Sequence, residues 1–401
     1  MHHIKSSRPI RVAVVIPKYG LVGGAEEFAA ELTERLARNP RYDIHVFANR
    51  WQETSSQIKF HKVSILSFPK FLSTPSFARF AAKWIAAEKI DLVHSHERIF
   101  HADLVTLHGV PHRFWVREIR KKRPNLYDTA TIWVEQKMMA DQACHWYLPV
   151  SSLTQSIFEQ EYTIDSKRIR VIHPGVDTSI FEAKNRSNCR TEVRRMFGIG
   201  DDQPVMLFVS MNFEIKGLDE LLRGMAALQD RGVDGAWKLL VVGKGDETKY
   251  RAIARKLGLE DMVLFAGVVP KERLVSIYYA CDAFAMLSRF DTFGMVVLEA
   301  MAAGLPVLIS ANVGAKDLIE QGTNGFIIEN PSVSNAVASY LNQLLNSDLR
   351  AQMEQSVLET ARNNSWKAAV KQVEELYEDV IRSKKCDTKT SFHPCDVHKS
   401  L

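Results

Sequence analysis

The stretch that decides the fold is SRFDTFGMVVLEAMAAGLPVLIS, residues Ser288–Ser310. It overlaps the apolar run AFAMLS (Ala283–Ser288), which is typical of a strand buried on both faces of a parallel sheet. From Gly294 onward, MVVLEAMAA carries apolar residues at helical spacing and stops at Gly304, just before Pro306. The stretch therefore predicts a strand, a turn and a helix whose N-terminus faces the carboxyl end of the sheet.

The start of this helix is suited to binding an anion. The first backbone N–H groups of a helix, here those of Gly294, Met295 and Val296, have no partner within it, and the helix dipole adds positive charge. Because Gly294 has no side chain, a phosphate can approach the backbone closely. Two acids, Asp291 and Glu299, lie eight positions apart around this turn. The pattern predicts a site for a sugar nucleotide.

The chain reads as two α/β halves. The candidate strands of the first half are RVAVVIP, DIHVFA, DLVHSH, DLVTLH and YLPVS, and those of the second are PVMLFVS, WKLLVVG, MVLFAG, AFAMLS, PVLIS and GFIIE. Because helical stretches separate them, parallel sheets are expected. The link between the halves should fall within residues 173–203, and the pattern after Pro331 is purely helical.

Several segments together resemble one enzyme family. They are GGAEEF (23–28), LHG (107–109), RIRVIHPGVDTSIF (168–181), VSMNFEIKGLDELL (209–222), LLVVGKGD (239–246), LFAGVVPKERLVSIYYACDAFAMLS (264–288) and VGAKDLIEQGTNGFIIEN (313–330). With the two acids they resemble the retaining glycosyltransferases of the GT-B fold that carry an E-x7-E segment, a large bacterial family that includes lipopolysaccharide core glucosyltransferases and mannosyltransferases. The resemblance runs from Arg11 to about Asp379.

The resemblance implies an α/β fold with two Rossmann-like domains facing each other across a cleft. Residues 1–180 would bind the acceptor and would be completed by a C-terminal helix at 365–383. Residues 181–364 would bind the nucleotide sugar. Independently of the resemblance, the polar composition of residues 384–401 predicts a disordered tail.

Roles for single residues also follow from the resemblance. Glu299 would accept hydrogen bonds from the ribose, Asp291 would bind hydroxyls of the transferred sugar, and Lys216 would neutralise the diphosphate. His108 would reach a hydroxyl of that sugar, so Asp291, Lys216 and His108 are the catalytic candidates. The remaining donor contacts would come from Gly23, Gly24, Val268, Phe293, Gly294, Met295 and Val296.

Each candidate has a structural alternative. Glu299, placed at the first turn of its helix, could cap that helix, and Asp291 could merely form the turn. Gly23 and Gly24 could be a turn only, Lys216 a solvated lysine, and His108 a core residue. Zinc is not expected, because His94 and His96 lack evident further ligands.

The chain also departs from the family pattern. Met211 and Ile215 stand where many relatives have a phosphate-binding Arg, so Arg289 is a hypothetical substitute. Asp291 stands where Glu is usual.

The expected reaction is transfer of a hexose from a nucleotide diphosphate sugar to a glycan or glycolipid hydroxyl, with a UDP- or GDP-sugar as the expected donor. The resemblance implies retention, and a front-face displacement fits the lack of an evident second carboxylate. No metal or cofactor is expected. A nucleotide-sugar epimerase and a non-catalytic glycan- or membrane-binding relative stay open. A nicotinamide dehydrogenase is disfavoured because Gly243-Lys244-Gly245 lacks a third glycine at Thr248.

Composition limits the partners. The chain has 401 residues, a formal net charge of +5 and five scattered cysteines, which we interpret as free thiols. No nucleic-acid motif, apolar secretory signal or membrane-length apolar run is evident, so a cytoplasmic protein is expected. Residues 1–182 hold 25 basic and 19 acidic residues. The segments 68–89 and 112–123 mix aromatic with basic side chains. This mixture suits an anionic membrane surface or an acidic acceptor, and an ordinary core with a solvated face is the alternative.

Overall fold

The computed structural model describes residues 8–21, 23–52, 55–233 and 237–390. The chain forms two compact units. Unit 1 comprises the residues up to Val150, Thr154–Ile172 and the residues from Ala369 onward, and unit 2 comprises Ser151–Leu153 and His173–Ala368. The boundary precedes the expected residue 180, and His173 already bonds within unit 2, with Nε2 at 3.0 Å from Oδ2 of Asp317.

The strands, in chain order, are β1 Ile10–Val15, β2 Lys18–Tyr19, β3 Tyr42–Ala48, β4 Arg50–Trp51, β5 Ile58–Lys62, β6 Leu92–Ser95, β7 Leu104–Leu107, β8 Trp146–Pro149, β9 Val205–Ser210, β10 Lys238–Gly243, β11 Val263–Gly267, β12 Ala283–Met286, β13 Val307–Ser310 and β14 Gly325–Ile328. The helices are α1 Gly24–Ala37, α2 Ser73–Ala87, α3 His112–Phe114, α4 Leu126–Met139, α5 Ser152–Glu161, α6 Ser179–Glu182, α7 Arg186–Met196, α8 Leu218–Gln229, α9 Glu247–Lys256, α10 Lys271–Ala280, α11 Met295–Ala302, α12 Ser334–Leu345, α13 Ser347–Asn363 and α14 Trp366–Thr390.

Each unit contains a six-stranded parallel sheet, with the order β5-β3-β1-β6-β7-β8 in unit 1 and β11-β10-β9-β12-β13-β14 in unit 2. Both orders are those of a Rossmann-like sheet, so the predicted α/β class with two such domains is confirmed. Chain order reverses between β1 and β6 and between β9 and β12. Ligands of such sheets bind outside the carboxyl ends of the strands at this switch point. The loops after these four strands are therefore the places to look for sites.

The sheets form because their strands are almost wholly apolar. All residues of β9 and β12 are buried, as expected for parallel strands covered on both faces by helices. Each predicted strand is present, with ends shifted by a residue or a few. The sequence analysis missed β5, because IKFHK alternates apolar with basic residues and lies at the sheet edge.

The C-terminal helix corrects the expected tail. Helix α14 continues through Thr390, so the prediction of disorder from residue 384 is wrong for residues 384–390. Lys384 explains the extension, since its Nζ lies 2.7 Å from Oδ2 of Asp103 and 3.0 Å from the carbonyl oxygen of Asp91. Residues 391–401, including Cys395, lie outside the described residues.

The aromatic and basic segments of unit 1 divide between core and surface. Phe77 is buried in the core, whereas Phe68 is 90% exposed and Trp84 is 47% exposed. Arg117 forms ion pairs with Glu118 and Glu161, and Arg120 pairs with Asp128. Two of the five basic side chains between residues 117 and 123 therefore have compensated charges. The other three, Lys121, Lys122 and Arg123, are exposed.

Candidate active site

The first helix turn of α11 is built around Gly294. This glycine has φ 89°, a left-handed conformation that residues with a side chain rarely adopt. A Cβ at this position would also lie 2.6 Å from Cε of Met286 and 3.1 Å from Cγ1 of Val313. The turn therefore requires glycine for both conformation and space. The N-terminus of α11 follows β12 at the switch point of the second sheet, as predicted.

Tertiary structure brings Lys216 and Asp291 together. Lys216 follows β9 and Asp291 follows β12, and the lysine Nζ forms an ion pair with Oδ2 of Asp291. Both side chains are largely buried, with 24% and 16% exposure. The two loops are also joined by backbone bonds, since the N–H of Arg289 donates to the carbonyl oxygen of Ile215 at 2.9 Å. A cation and a carboxylate thus lie together beside the start of α11.

Gly217 holds this lysine in place. It is the N-cap of α8 with φ 81°, and a Cβ there would lie only 2.0 Å from the carbonyl oxygen of Leu287. The loop before α8 can therefore pack against the end of β12 only because residue 217 is glycine. This close approach sets the position of Lys216.

Glu299 lies further along α11 than expected. It is the fifth residue of the helix, and no acid lies in the first turn, so the prediction of a first-turn position is wrong. At this position it cannot cap its own helix. Instead its Oε2 accepts a hydrogen bond of 2.8 Å from the hydroxyl of Tyr278, a buried residue of α10. Tyr278 holds one carboxylate oxygen in place, a role that the sequence analysis missed because it depends on two packed helices.

Arg289, the hypothetical substitute for the missing phosphate-binding arginine, is paired within the protein. Its Nε lies 3.3 Å from Oε1 of Glu220, a largely buried carboxylate on α8. Met211 and Ile215, the positions of the absent arginine, are exposed. Lys216 is therefore the basic side chain that the structure places against Asp291.

The other donor candidates of unit 2 are placed as follows. Val268, directly after β11, is 63% exposed. Met295 and Val296 open α11 and are half-buried. Phe293 is engaged within the protein, because its ring is buried and its carbonyl oxygen accepts from the N–H of Ala315 at 2.7 Å. Its side chain is therefore unsuited to a donor contact.

Three candidates lie in unit 1. Gly23 is the N-cap of α1 with φ 150°, and Gly24 is the first helical residue, with no atom within 4 Å of a Cβ built there. His108 follows β7, and its ring packs edge-on against Phe28 at 4.8 Å. Gly24 thus has the open space that the approach of a ligand needs.

A column of three histidines crosses the carboxyl end of the first sheet. His96 stacks on His108 with ring centres 5.1 Å apart, and His94 lies 4.4 Å from His96. Burial lowers the pKa of His94 and of His108 to about 3, so both are neutral near pH 7. At that pH His108 can offer a hydrogen bond but no charge.

The zinc alternative fails at His94. Its Nδ1 bonds the hydroxyl of Tyr377 at 2.8 Å and its Nε2 bonds Thr106 at 2.7 Å, so both ring nitrogens are already used. Among the described residues, a different group, His45, His61 and Glu88, has metal-ligand atoms within 4.8 Å of one another. Arg11 lies within this group and donates to Glu88 at 3.1 Å, so its guanidinium already supplies a positive charge there.

Together, the residues of unit 2 suit a phosphorylated ligand that also carries hydroxyls. The N-terminus of α11 and Lys216 can hold a diphosphate, while the two carboxylates can accept hydrogen bonds from hydroxyl groups. This is the chemistry of a sugar nucleotide.

Two family models match the chain. The model described as "Glycosyl transferases group 1" matches residues 190–362, and "Glycosyltransferase Family 4" matches residues 22–180. Together the two models match most of the chain. The chain belongs to the glycosyltransferases. In this glycosyltransferase the group 1 match contains Lys216, Asp291 and Glu299.

Individual relatives extend the comparison. A D-inositol 3-phosphate glycosyltransferase of Corynebacterium aurimucosum is 29% identical over 66% of the chain and 64% of its own length. An N-acetyl-alpha-D-glucosaminyl L-malate synthase of Bacillus anthracis is 24% identical over 94% of the chain and 99% of its own length. The chain thus spans less than two thirds of the length of the Corynebacterium aurimucosum protein. It spans 56% of the length of a D-inositol 3-phosphate glycosyltransferase of Corynebacterium glutamicum.

Solved structures show the same fold. WaaG, a glycosyltransferase involved in lipopolysaccharide biosynthesis, has a TM-score of 0.73 at 20% identity and covers 90% of this chain and 98% of its own. Anabaena HepE in complex with UDP and glucose has a TM-score of 0.69 at 19% identity, with 92% and 100% coverage. Among the helices of the described residues, none is long and apolar enough to cross a membrane.

Proposed function

We propose that the chain transfers a hexose from a nucleotide diphosphate sugar to a hydroxyl of a glycan or glycolipid, with retention at the anomeric carbon. The observation that carries the proposal is the ion pair of Lys216 with Asp291 beside the N-terminus of α11. Both charges lie at a switch point, where a parallel sheet binds its ligand. Glu299, oriented by Tyr278, supplies a carboxylate for the ribose hydroxyls.

The proposed chemistry uses these groups in turn. The acceptor hydroxyl oxygen bonds to the anomeric carbon while the bond from that carbon to the β-phosphate oxygen breaks. The hydroxyl proton passes to the leaving phosphate on the same face. Lys216 and the first N–H groups of α11 stabilise the negative charge that develops on the diphosphate. Asp291, once Lys216 turns to the phosphate, holds hydroxyls of the transferred sugar.

The names of the relatives support a nucleotide-sugar donor. HepE was solved with UDP-glucose, and the malate synthase is named for an N-acetylglucosaminyl group. UDP is therefore the first nucleotide to test, with GDP next. We propose that the reaction belongs to cell-envelope polysaccharide or lipopolysaccharide synthesis, because WaaG is described as involved in lipopolysaccharide biosynthesis.

A donor screen tests this function. UDP-glucose, UDP-N-acetylglucosamine, GDP-mannose and ADP-glucose are titrated by calorimetry, and NMR then assigns the anomeric configuration of any product. Binding of one donor and a product of retained configuration are expected. Binding of no donor, or an inverted product, would contradict the proposal. An altered sugar nucleotide formed without acceptor would indicate an epimerase, and binding without turnover a non-catalytic relative.

We also propose that unit 1 brings the enzyme to an anionic membrane at the cytoplasmic face. Apolar side chains that globular cores normally bury are exposed here, with Phe68 at 90% and Leu126 at 74%. Lys70, beside Phe68 in the chain, lies over the ring of Tyr127 at 5.1 Å. Lys121, Lys122 and Arg123 precede Leu126 and are exposed. Such a mixture suits anionic headgroups and the upper acyl region.

A further inference from the structure

Unit 1 has a cavity of about 320 Å³ at the switch point of its sheet. The loop after β1 contributes Ile16, Pro17 and Lys18, and the loop after β6 contributes His96 and Glu97. A second cavity, of about 170 Å³, extends to the loop after β7 and shares Ala25, His96 and Glu97 with the first. We call the two together the His96 cavity.

His96 is the buried polar side chain that lines both cavities. It is 5% exposed, and its Nδ1 bonds Nε2 of His108 at 2.9 Å. Its Nε2 is buried, with no hydrogen-bond partner among the described residues. Burial holds the pKa of His96 well below its usual value, so the ring is neutral. A buried polar atom without a partner costs about 1–3 kcal/mol, which a ligand hydroxyl would recover.

The charges around the cavity favour an uncharged ligand. The charged side chains that line it are three carboxylates, Glu26, Glu97 and Glu135, and two cations, Lys18 and Arg98. Arg98 is already paired, since its guanidinium lies 2.6 Å from Glu135 and 3.1 Å from Glu97. Its charge is therefore compensated within the protein, and a phosphate or carboxylate ligand would have to displace two carboxylates to bind it. Lys18 is then the other cation in the lining, and the carboxylates outnumber the two cations.

Hydroxyl groups complete the lining. Ser73 and Thr74 at the start of α2 and Tyr127 on α4 line the larger cavity. Hydroxyls donate as well as accept hydrogen bonds, and carboxylates only accept. Such a set matches a molecule with many hydroxyl groups.

We propose that the His96 cavity binds the acceptor as a neutral sugar or polyol, with one of its hydroxyls bonded to His96 Nε2, and that it rejects phosphorylated and carboxylated acceptors. This inference rests on the proposed function, because it names the acceptor class of that reaction. It separates the chain from relatives whose names carry an anionic acceptor, inositol 3-phosphate or malate.

Ligand-observed NMR on the full chain, with UDP present, tests the assignment without requiring turnover. The neutral probes are methyl α-glucoside, methyl α-galactoside and myo-inositol, and the anionic probes are glucose 6-phosphate and malate. At least one neutral probe should bind, and at least tenfold more tightly than either anionic probe. His96→Leu should weaken that binding at least tenfold. His101→Leu, a control at a side chain that is 77% exposed, should bind like the parent.

A second variant keeps the inference testable if His96→Leu fails to fold. Glu97→Gln preserves shape and removes one negative charge, so it should narrow the preference for neutral over anionic probes several-fold. The inference is overturned if no probe binds, if an anionic probe binds as tightly as the neutral ones, or if the His96 variant folds and binds unchanged. Failure of the proposed function differs, because it is the absence of donor binding and turnover in the donor screen.

Discussion

Lys216 and Asp291, 75 positions apart in the sequence, compensate each other's charge. Two largely buried charges are stable in this arrangement because neither is left without a counter-charge. A diphosphate would compete with Asp291 for the lysine. In the proposed reaction, donor binding therefore releases Asp291 at the place where the transferred sugar would lie.

Replacement of Lys216 tests this exchange. In Lys216→Ala we expect turnover with the identified donor to fall about a hundredfold, because one preorganised positive group at the leaving phosphate is lost. Steady-state kinetics give the measurement, and a melting curve checks the fold. Lys256→Ala, a control at an exposed lysine of α9, should behave like the parent. Turnover of Lys216→Ala within about twofold of the parent, some 0.4 kcal/mol, would remove Lys216 from the phosphate site.

Replacement of Glu299 tests the proposed contact with the ribose. Glu299→Gln should weaken donor binding by about 10- to 100-fold, because charge-assisted hydrogen bonds to the ribose become neutral ones. The fold should persist, since a glutamine oxygen can still accept from Tyr278. Calorimetry with the identified donor gives the affinity, and Glu329→Gln serves as a control at an exposed acid. Equal affinities of Glu299→Gln and parent would contradict the ribose contact.

At the scale of elements, α8 and α11 begin in the same way. Each is preceded by a left-handed glycine, Gly217 or Gly294, and each follows a central strand of the second sheet. Lys216 precedes the N-terminus of α8, and the anion-binding N–H groups lie at the N-terminus of α11. Packing of the two turns is what aligns these groups.

Gly217→Ala tests that packing. The substitution should cost more than the roughly 1–2 kcal/mol of a left-handed conformation alone, because the new Cβ would meet the backbone oxygen of Leu287. Gly322→Ala is the matched control, since Gly322 has φ 80° and open space around it. Urea unfolding measures the free energy of both variants. Equal losses would show that the turn relaxes at no cost, and that the close approach does not set the position of Lys216.

The histidine column between β6 and β7 makes unit 1 sensitive to acid. The pKa of His94 and of His108 is about 3 in the folded chain, against 6.5 as the ordinary value. Between these values the unfolded chain binds protons that the folded chain does not, so stability should fall as pH drops below about 6.5. The slope is at most about 1.4 kcal/mol per pH unit for each histidine.

Unfolding by urea between pH 7 and 4.5, followed by hydrogen exchange in β6 and β7, measures this slope. His108→Asn should reduce the slope, because the lowered pKa of His108 then no longer contributes. An identical slope in His108→Asn and the parent would show that His108 does not contribute.

At the scale of the whole molecule, the surface of unit 1 predicts binding to anionic membranes. Each base near such a surface contributes about 1 kcal/mol, and salt screens the attraction. Sedimentation with liposomes that contain phosphatidylglycerol should therefore fall as ionic strength rises, and fall further when Lys121, Lys122 and Arg123 become Gln. A control with Arg195, Lys244 and Lys256 changed to Gln removes equal charge from unit 2. Equal sedimentation with neutral and anionic liposomes would contradict membrane binding.

The layers of the fold and the residues of the site motif follow from local sequence patterns. Runs such as VMLFVS and AFAMLS are too apolar for any position but a sheet covered on both faces, and their alternation with helices determines a parallel order. Gly294 and the acids around it, Asp291 and Glu299, indicate the N-terminus of a helix and a polar ligand beside it. These features are local, so composition and spacing carry them.

Only the tertiary structure decided which of these residues act together. The Lys216–Asp291 pair, the bond from Tyr278 to Glu299 and the diversion of Arg289 to Glu220 each join separate segments. The unpartnered nitrogen of His96 is likewise a property of packing, since it depends on what lies around the ring in space. Periodicity along a chain predicts which side chains are buried, but the angle and distance between packed elements decide which polar atoms meet.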